Sequence, residues 1–331
     1  MTITSKIWVL IEATAPVFTR AGLELLTPAR DLADQSGQPL AAVVMGCHVE
    51  ETARQAVALG ADEVLVLDHP AFAQYETMCF VHALSWLLET YRPSSLLISA
   101  TEHGRDLAPR LACRFHTGLT ADCTQLSIRE DGETILWTRP ALGGNLMATI
   151  VCEHQRPQMG TVRPGVFTQR TPDPQRAGTI LPIPQVPILL NSKVQTLQRL
   201  TGEGDAFTFD GKDVIVSGGL GMQSKEQFSL IWQLAQALGG VVGASRGAVH
   251  EGWVPYAHQV GQSGATVRPK VYIACGISGA VQHLAGISGA DTVIAINSDP
   301  DAPIFQVADY GIVGDALQVI PDLLDALSQQ K

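Results

Sequence analysis

The stretch LAAVVMGCHVEETARQAVALGADEVLVL, Leu40–Leu67, decides how this chain is read. Its opening residues, Leu40–Met45, form an unbroken apolar run of strand length, as expected of a strand buried on both faces. Glu50–Leu59 carries helical spacing, and Glu63–Leu67 returns to a short β-branched run. Two strands joined by a helical crossover lie parallel, so this is one βαβ unit.

The same rhythm extends outward. Upstream, Ile7–Glu12 reads as a strand and Gly22–Ser36 as a helix with Leu23, Leu26, Ala29 and Leu32 on one face. Downstream come a helix over Thr77–Tyr91 stopped by Pro93, a strand over Ser95–Ser99 and a helix around Arg105–Arg114. The pattern then changes to hairpin-like strands over Thr124–Glu130, Thr134–Pro140 and Met147–Cys152, with Asp131-Gly132 as a tight turn. After TVRPGVF (Thr161–Phe167), Pro172, Pro174, Pro182, Pro184 and Pro187 spell an extended strap. This places a domain boundary near residue 190, giving regions 1–190 and 191–331.

The second region restarts the alternation. Strands are expected at Asp213–Ser217, Val271–Cys275, Thr292–Asn297 and Tyr310–Val313. Helices are expected at Ser224–Leu238, Ala280–Ala285 and Ala316–Leu327. The fold class is therefore α/β, with two doubly wound domains, each built on a mainly parallel sheet.

Composition narrows the function. A hydrophobic share of 46% with only 16% charged residues describes a packed globular chain rather than a disordered one. A net charge of −10 argues against a nucleic-acid partner, which selects for a basic surface. An acidic surface suits protein partners and is equally ordinary for a bacterial cytosolic protein. Cys47, Cys79, Cys113, Cys123, Cys152 and Cys275 show no CxxC spacing, so reduced thiols are expected rather than an iron-sulfur or zinc site. The opening MTITSKIWVLIEA reads as a first strand rather than a signal peptide. No run of 18 apolar residues suggests membrane insertion. A cytoplasmic location is the resulting expectation.

Four polar, glycine-bearing loops follow the strands of the second region. They are SGGLG (Ser217–Gly221), ASRG (Ala244–Gly247), QVGQSG (Gln259–Gly264) and CGISGAVQH (Cys275–His283). Ligands of open α/β sheets bind beyond the carboxyl ends of the strands, and such turns present backbone N–H groups to phosphates. SGGLG is not the strict GxGxxG fingerprint, so each loop alone reads equally as a structural turn. Their convergence points to a dinucleotide or flavin site. Arg246 reads as a cation facing a phosphate or reduced ring, or as half of a surface ion pair. The Ser263 hydroxyl either bonds a cofactor or stabilises its own turn. His283 reads as a donor to a ligand or as a structural histidine.

The run Val242–Ile287 resembles the C-terminal signature of electron-transfer flavoprotein alpha subunits, and Thr292–Leu327 continues the likeness. IWVLIEA, PALGGNLMATI (Pro140–Ile150) and TVRPGVF agree more loosely. The resemblance implies a nucleotide-hydrolase-like first domain that docks a beta subunit and a Rossmann-like second domain that holds FAD. It matches Arg246 to the arginine beside the flavin ring, Ser245 to a residue lining the site and Ser263 to the hydroxyl near the flavin N5. Gln259, Val260, Gly261, Gln262, Ser263 and Gly264 match the loop around the ring. Gly276, Ile277, Ser278, Gly279, Ala280, Val281 and Gln282 match the loop around the diphosphate. His283 matches the histidine at the pyrimidine edge, and Asn297 and Asp315 match positions toward the adenosine. Gly219, Leu220 and Gly221 complete the set, with one departure: the family often carries Gly-Gly-Arg-Gly where Gly218-Gly219-Leu220-Gly221 stands here.

The resemblance further implies electron-donor dehydrogenases and a quinone oxidoreductase or similar acceptor as partners. A variant within the family is an electron-bifurcating or nitrogen-fixation-associated complex. No hydrolytic triad or metal motif is present in the sequence, and a carrier needs neither. A nicotinamide-dependent dehydrogenase would need a strict fingerprint and a catalytic acid or base, and a non-redox nucleotide-binding scaffold would show no visible absorbance.

Overall fold

The computed structural model describes residues 4–141, 146–188, 207, 209 and 211–329. The chain divides into two compact units, Met1–Gln198 and Arg199–Lys331. The boundary expected near residue 190 falls outside the described residues, as does part of PALGGNLMATI.

In the first unit, β1 (Thr4–Ala13), β2 (Leu40–Gly46), β3 (Glu63–Asp68), β4 (Pro93–Ser99) and β5 (Leu119–Cys123) alternate with α1 (Pro16–Glu24), α2 (Leu26–Ser36), α3 (Glu50–Ala58), α4 (Thr77–Tyr91) and α5 (Glu102–Arg114). Strands β6 (Gln125–Ile128), β7 (Ile135–Ala141) and β8 (Leu146–Ile150) form an antiparallel three-stranded sheet. Next come β9 (Gln158–Val162) and β10 (Thr179–Pro182). The main sheet is parallel, ordered β10-β3-β2-β1-β4-β9-β5.

The continuous apolar runs follow from burial on both faces. Ile7, Val9 and Ile11 of β1 face one core cluster, while Trp8 and Leu10 face the other. In β2, Leu40, Ala42 and Val44 alternate in the same way with Ala41, Val43 and Met45. Helix α4 opens where the Glu76 carboxylate accepts from the amides of Met78 and Cys79, and ends with Arg92 in the left-handed region at φ 49°.

Four local readings change. The helix expected over Gly22–Ser36 is two helices broken at Leu25. Pro28 has no N–H to give the carbonyl of Glu24, so a continuous helix would lose that bond, whereas a first turn tolerates proline. Strands β5 and β9 went unread. Gly160 in β9 has no side chain because the Trp137 ring occupies that space: a Cβ there would meet Cε3 at 2.2 Å. The proline-rich strap contributes β10, paired in parallel with β3. The helix expected from Ser224 begins as α-helix only at Ser229.

The second unit contains β11 (Val214–Gly218), α6 (Ser229–Ala237), β12 (Val241–Ala244), α7 (Arg246–His250), β13 (Val271–Cys275), α8 (Val281–Leu284), β14 (Thr292–Asn297), β15 (Tyr310–Val313) and α9 (Ala316–Gln329). Its sheet is parallel, in the order β12-β11-β13-β14-β15. The chain leaves β11 toward β12 and then returns to the other side at β13, so the strand order reverses between β11 and β13.

Candidate functional site

At that reversal the carboxyl ends of the strands open into a cleft of about 810 Å³. This lies within the range of roughly 300–1,000 Å³ that houses cofactors and drug-sized ligands. Its floor depends on two strand ends approaching each other without side chains. A Cβ on Gly219 would lie 2.2 Å from the Gly276 carbonyl oxygen, and one on Gly221 would lie 2.6 Å from the Gly276 Cα. Gly276 itself has φ 61°, which favours glycine. The Gly219 amide bonds the Cys275 carbonyl at 2.9 Å, and the Gly221 amide bonds the Gly276 carbonyl at 3.0 Å.

The QVGQSG loop is tied into this floor. The Val260 amide donates to the Ala244 carbonyl at 2.9 Å, and the Gln262 amide to the Gln282 carbonyl at 2.7 Å. Within the loop, Nε2 of Gln259 donates to the Ser263 hydroxyl oxygen at 3.0 Å, which leaves the hydroxyl proton available. The Tyr256 hydroxyl donates to the Ser263 carbonyl. Gly264 turns inward: a Cβ there would lie 2.3 Å from the Gln259 carbonyl oxygen.

Of the residues singled out in the sequence, Leu220, Gly221, Ser245, Arg246, Gln259–Ser263, Gly276–Ser278, Ala280, Gln282, His283, Asn297 and Asp315 border the cleft. Gly219, Gly264, Gly279 and Val281 do not line it. The three glycines are packing positions, since a Cβ on Gly279 would meet the Ile304 amide nitrogen at 2.3 Å. Val281 points outward, 39% exposed. The cleft also takes in Gln223, Gly247, Ser298 and Ala316. Gly247 was legible as part of ASRG, and Ala316 as the first residue of the last helix.

Each polar group has a distinct setting. Ser245 caps α7, its hydroxyl accepting from the Ala248 amide at 3.5 Å. Arg246 is exposed and has no ion-pair partner among the described residues. The Leu220 side chain rests where a Gly247 Cβ would stand, 2.8 Å from Cγ, and adds no charge to the cleft. Asn297 donates to the Ile277 carbonyl at 2.9 Å, and Asp315 caps the last helix by accepting from the Leu317 amide at 3.0 Å.

His283 is buried, with Nε2 3.0 Å from the Tyr272 hydroxyl and Nδ1 without a hydrogen-bond partner among the described residues. Burial pulls its pKa down to about 4, against an opposing effect of the Val260 carbonyl. Burial likewise pushes the Cys275 thiol up to about 12. Tyr272 was not foreseen, because VYIAC read simply as core. No group of three or more metal-ligating side chains exists among the described residues.

The switch-point cleft, its glycine-built floor and Arg246, which has no ion-pair partner among the described residues, define a doubly wound α/β protein with a candidate cofactor site in the second unit. Residues 7–185 match the electron transfer flavoprotein domain, and residues 208–288 match the electron transfer flavoprotein FAD-binding domain. The chain is 47% identical to an electron transfer flavoprotein subunit alpha of Thermoanaerobacterium thermosaccharolyticum, covering 98% of both chains. A subunit alpha of Megasphaera elsdenii is also 47% identical, over 98% of this chain and 97% of that protein. A protein named FixB from Clostridium saccharobutylicum is 44% identical, over 96% and 95%. The chain belongs to the electron transfer flavoprotein alpha-subunit family. No helix among the described residues is long and apolar enough to cross a membrane.

Proposed function

We propose that this chain is the FAD-binding alpha subunit of a heterodimeric electron-transfer flavoprotein of the cytoplasm. It carries electrons between donor dehydrogenases and a quinone oxidoreductase or similar acceptor. The observation that carries this reading is Arg246, a cation without an ion-pair partner among the described residues at the edge of a cofactor-sized cleft. The match of this unit to an FAD-binding domain supports it. When bound, FAD supplies the capacity to accept and release electrons.

The chain's own groups bind and bias that cofactor. Arg246 favours added negative charge on the ring through a fixed positive field. The Ser263 hydroxyl, its oxygen already occupied by Gln259, serves as a donor. The glycine-built loops after β11 and β13 let backbone amides approach the diphosphate. Asn297 and Asp315 border the adenosine side. The first unit docks the beta subunit through an apolar face.

A second reading is the alpha subunit of an electron-bifurcating or nitrogen-fixation-type complex, favoured by the relative named FixB. Co-expression with the adjacent gene tests the proposal. A 1:1 heterodimer with a flavin spectrum is expected, and flavin count separates the two readings, since the bifurcating complex holds a second flavin in its partner. A colourless monomer that ignores the neighbouring gene product contradicts both.

A further inference from the structure

The first unit has a strand reversal of its own. The chain runs from β1 out through β2 and β3 and resumes on the other side at β4, so the order turns between β1 and β4. A doubly wound sheet offers its ligand position beyond the carboxyl ends of two such strands. In the second unit that position is an open cleft. In the first unit it holds side chains of the chain itself. His103, in the first turn of α5, lies between two aromatic rings. Its ring centroid is 3.9 Å from that of Phe18 in α1 and 4.0 Å from that of Tyr75, which precedes α4. The planes are inclined by 27° and 9°, so the three rings form one stack.

The outer rings are held without help from the imidazole side chain. The Tyr75 hydroxyl donates to Oδ2 of Asp106 at 2.8 Å, and the Thr77 hydroxyl donates to the same oxygen at 2.7 Å. Tyr75 also packs against Phe80, with ring centroids 5.0 Å apart. At the edge of the stack, Nδ1 of His103 stands 3.2 Å from Oε2 of Glu12, near the end of β1. The Glu12 side chain is 4% exposed. A buried carboxylate is costly without a donor, and the imidazole N–H supplies one.

We propose that the switch point of the first unit is a slot for a planar, nitrogen-bearing ring, and that the chain fills it with His103. The slot is one ring thick, with an aromatic face on either side and a hydrogen-bond acceptor at its edge. It suits a small heteroaromatic ring that is uncharged or cationic. A phosphate-bearing ligand is excluded, because Glu12 would meet it with a like charge. His103 and Glu12 are thus specificity-determining residues that close the first unit to an anionic cofactor. This reading stands independently of the flavin assignment.

The test uses the full chain co-expressed with the adjacent gene product, with imidazole as the probe and hydrogen exchange as the readout. His103→Ala empties the slot and leaves Phe18, Tyr75 and Glu12 in the chain. Exchange over residues 12–19 and 100–105 should then speed up. Imidazole at several times its dissociation constant should slow it again about threefold to tenfold, the factor 1 + [L]/Kd for a ligand that binds only the closed form. Thiazole, a ring of the same size without an N–H, should restore less. So should imidazoleacetate, which adds a carboxylate. The wild-type complex should respond to none of the three.

A His103→Ala complex whose exchange imidazole leaves unchanged overturns the proposal. So does one that stays unfolded with imidazole present throughout expression and purification. Equal rescue by thiazole or imidazoleacetate overturns the part given to Glu12, and the proposal with it. Slower exchange over these residues when imidazole is added to wild type would show that His103 does not fill the slot, and needs no variant.

Discussion

The two units are built from the same parallel strands and covering helices, but the charged groups that stand out in each are set differently. In the first unit, carboxylates hold arginines. Asp62 takes Arg30 at 2.8 Å and Arg176 at 2.6 Å. Burial alone would raise its carboxyl, yet the Leu40 amide and Arg30 hold it below the usual range. Asp122 behaves likewise, with burial outweighed by Arg163. Around the cleft of the second unit, Arg246 has no ion-pair partner among the described residues, Ser263 keeps a proton to give, and Nδ1 of His283 has no hydrogen-bond partner. On this account the first unit is scaffold and docking body, and the second is the cofactor carrier.

The contrast breaks most visibly if a scaffold residue proves to control the cofactor. Trp137, fully buried and packed over Gly160, is the largest available probe. Trp137→Ala should cost about 3–5 kcal/mol in urea unfolding, while the folded complex keeps its flavin content. Loss of flavin at undiminished stability would erase the division of labour.

Acid should separate the units next. Burial lowers the pKa of His283 from 6.5 to about 4, and lowers His258 as well. An unfolded chain takes up these protons near pH 6.5, before the folded unit does. The second unit therefore loses stability as the pH falls from about 6.5 to about 4, by an amount on the order of 2–3 kcal/mol. Asp62 and Asp122, with depressed folded pKa values, contribute fully above their ordinary 3.8 and fade only as the pH falls through their folded values. Hydrogen exchange at pH 7 and pH 5 reports each unit separately. Equal loosening of both, or of the first alone, would contradict the ordering.

Smaller effects sharpen the cofactor half. Arg246→Ala should lower the flavin potential by about 1–2 kcal/mol of reduction free energy without destabilising the fold. Spectroelectrochemical titration measures it, and unchanged potentials at full occupancy would make Arg246 a surface residue only. Ser263→Ala should shift the flavin spectrum and potential modestly, by about 0.5–1.5 kcal/mol. Identical spectra would place that hydroxyl away from the ring.

How much of this was legible followed from where the signal resides. Strands buried on both faces, such as β1 and β2, announce themselves as apolar runs, and the loops after β11, β12 and β13 carry the glycines that pointed to the cleft. Strands β5 and β9 were hidden because LTADC and QMGTV mix polar and small residues, and their pairing depends on distant partners. The break at Leu25 depended on which carbonyl Pro28 leaves unserved. The contact of Tyr272 with His283 was invisible in the sequence because it joins residues eleven apart, set by how α8 returns over the sheet.

The central claim, that the second unit holds the cofactor, is tested most directly by hydrogen exchange on the co-expressed complex with flavin stripped and with FAD restored. Protection is predicted in Ser217–Gln223, Ala244–Gly247, Gln259–Gly264 and Cys275–His283. Protection centred on residues of Met1–Gln198 would contradict the account.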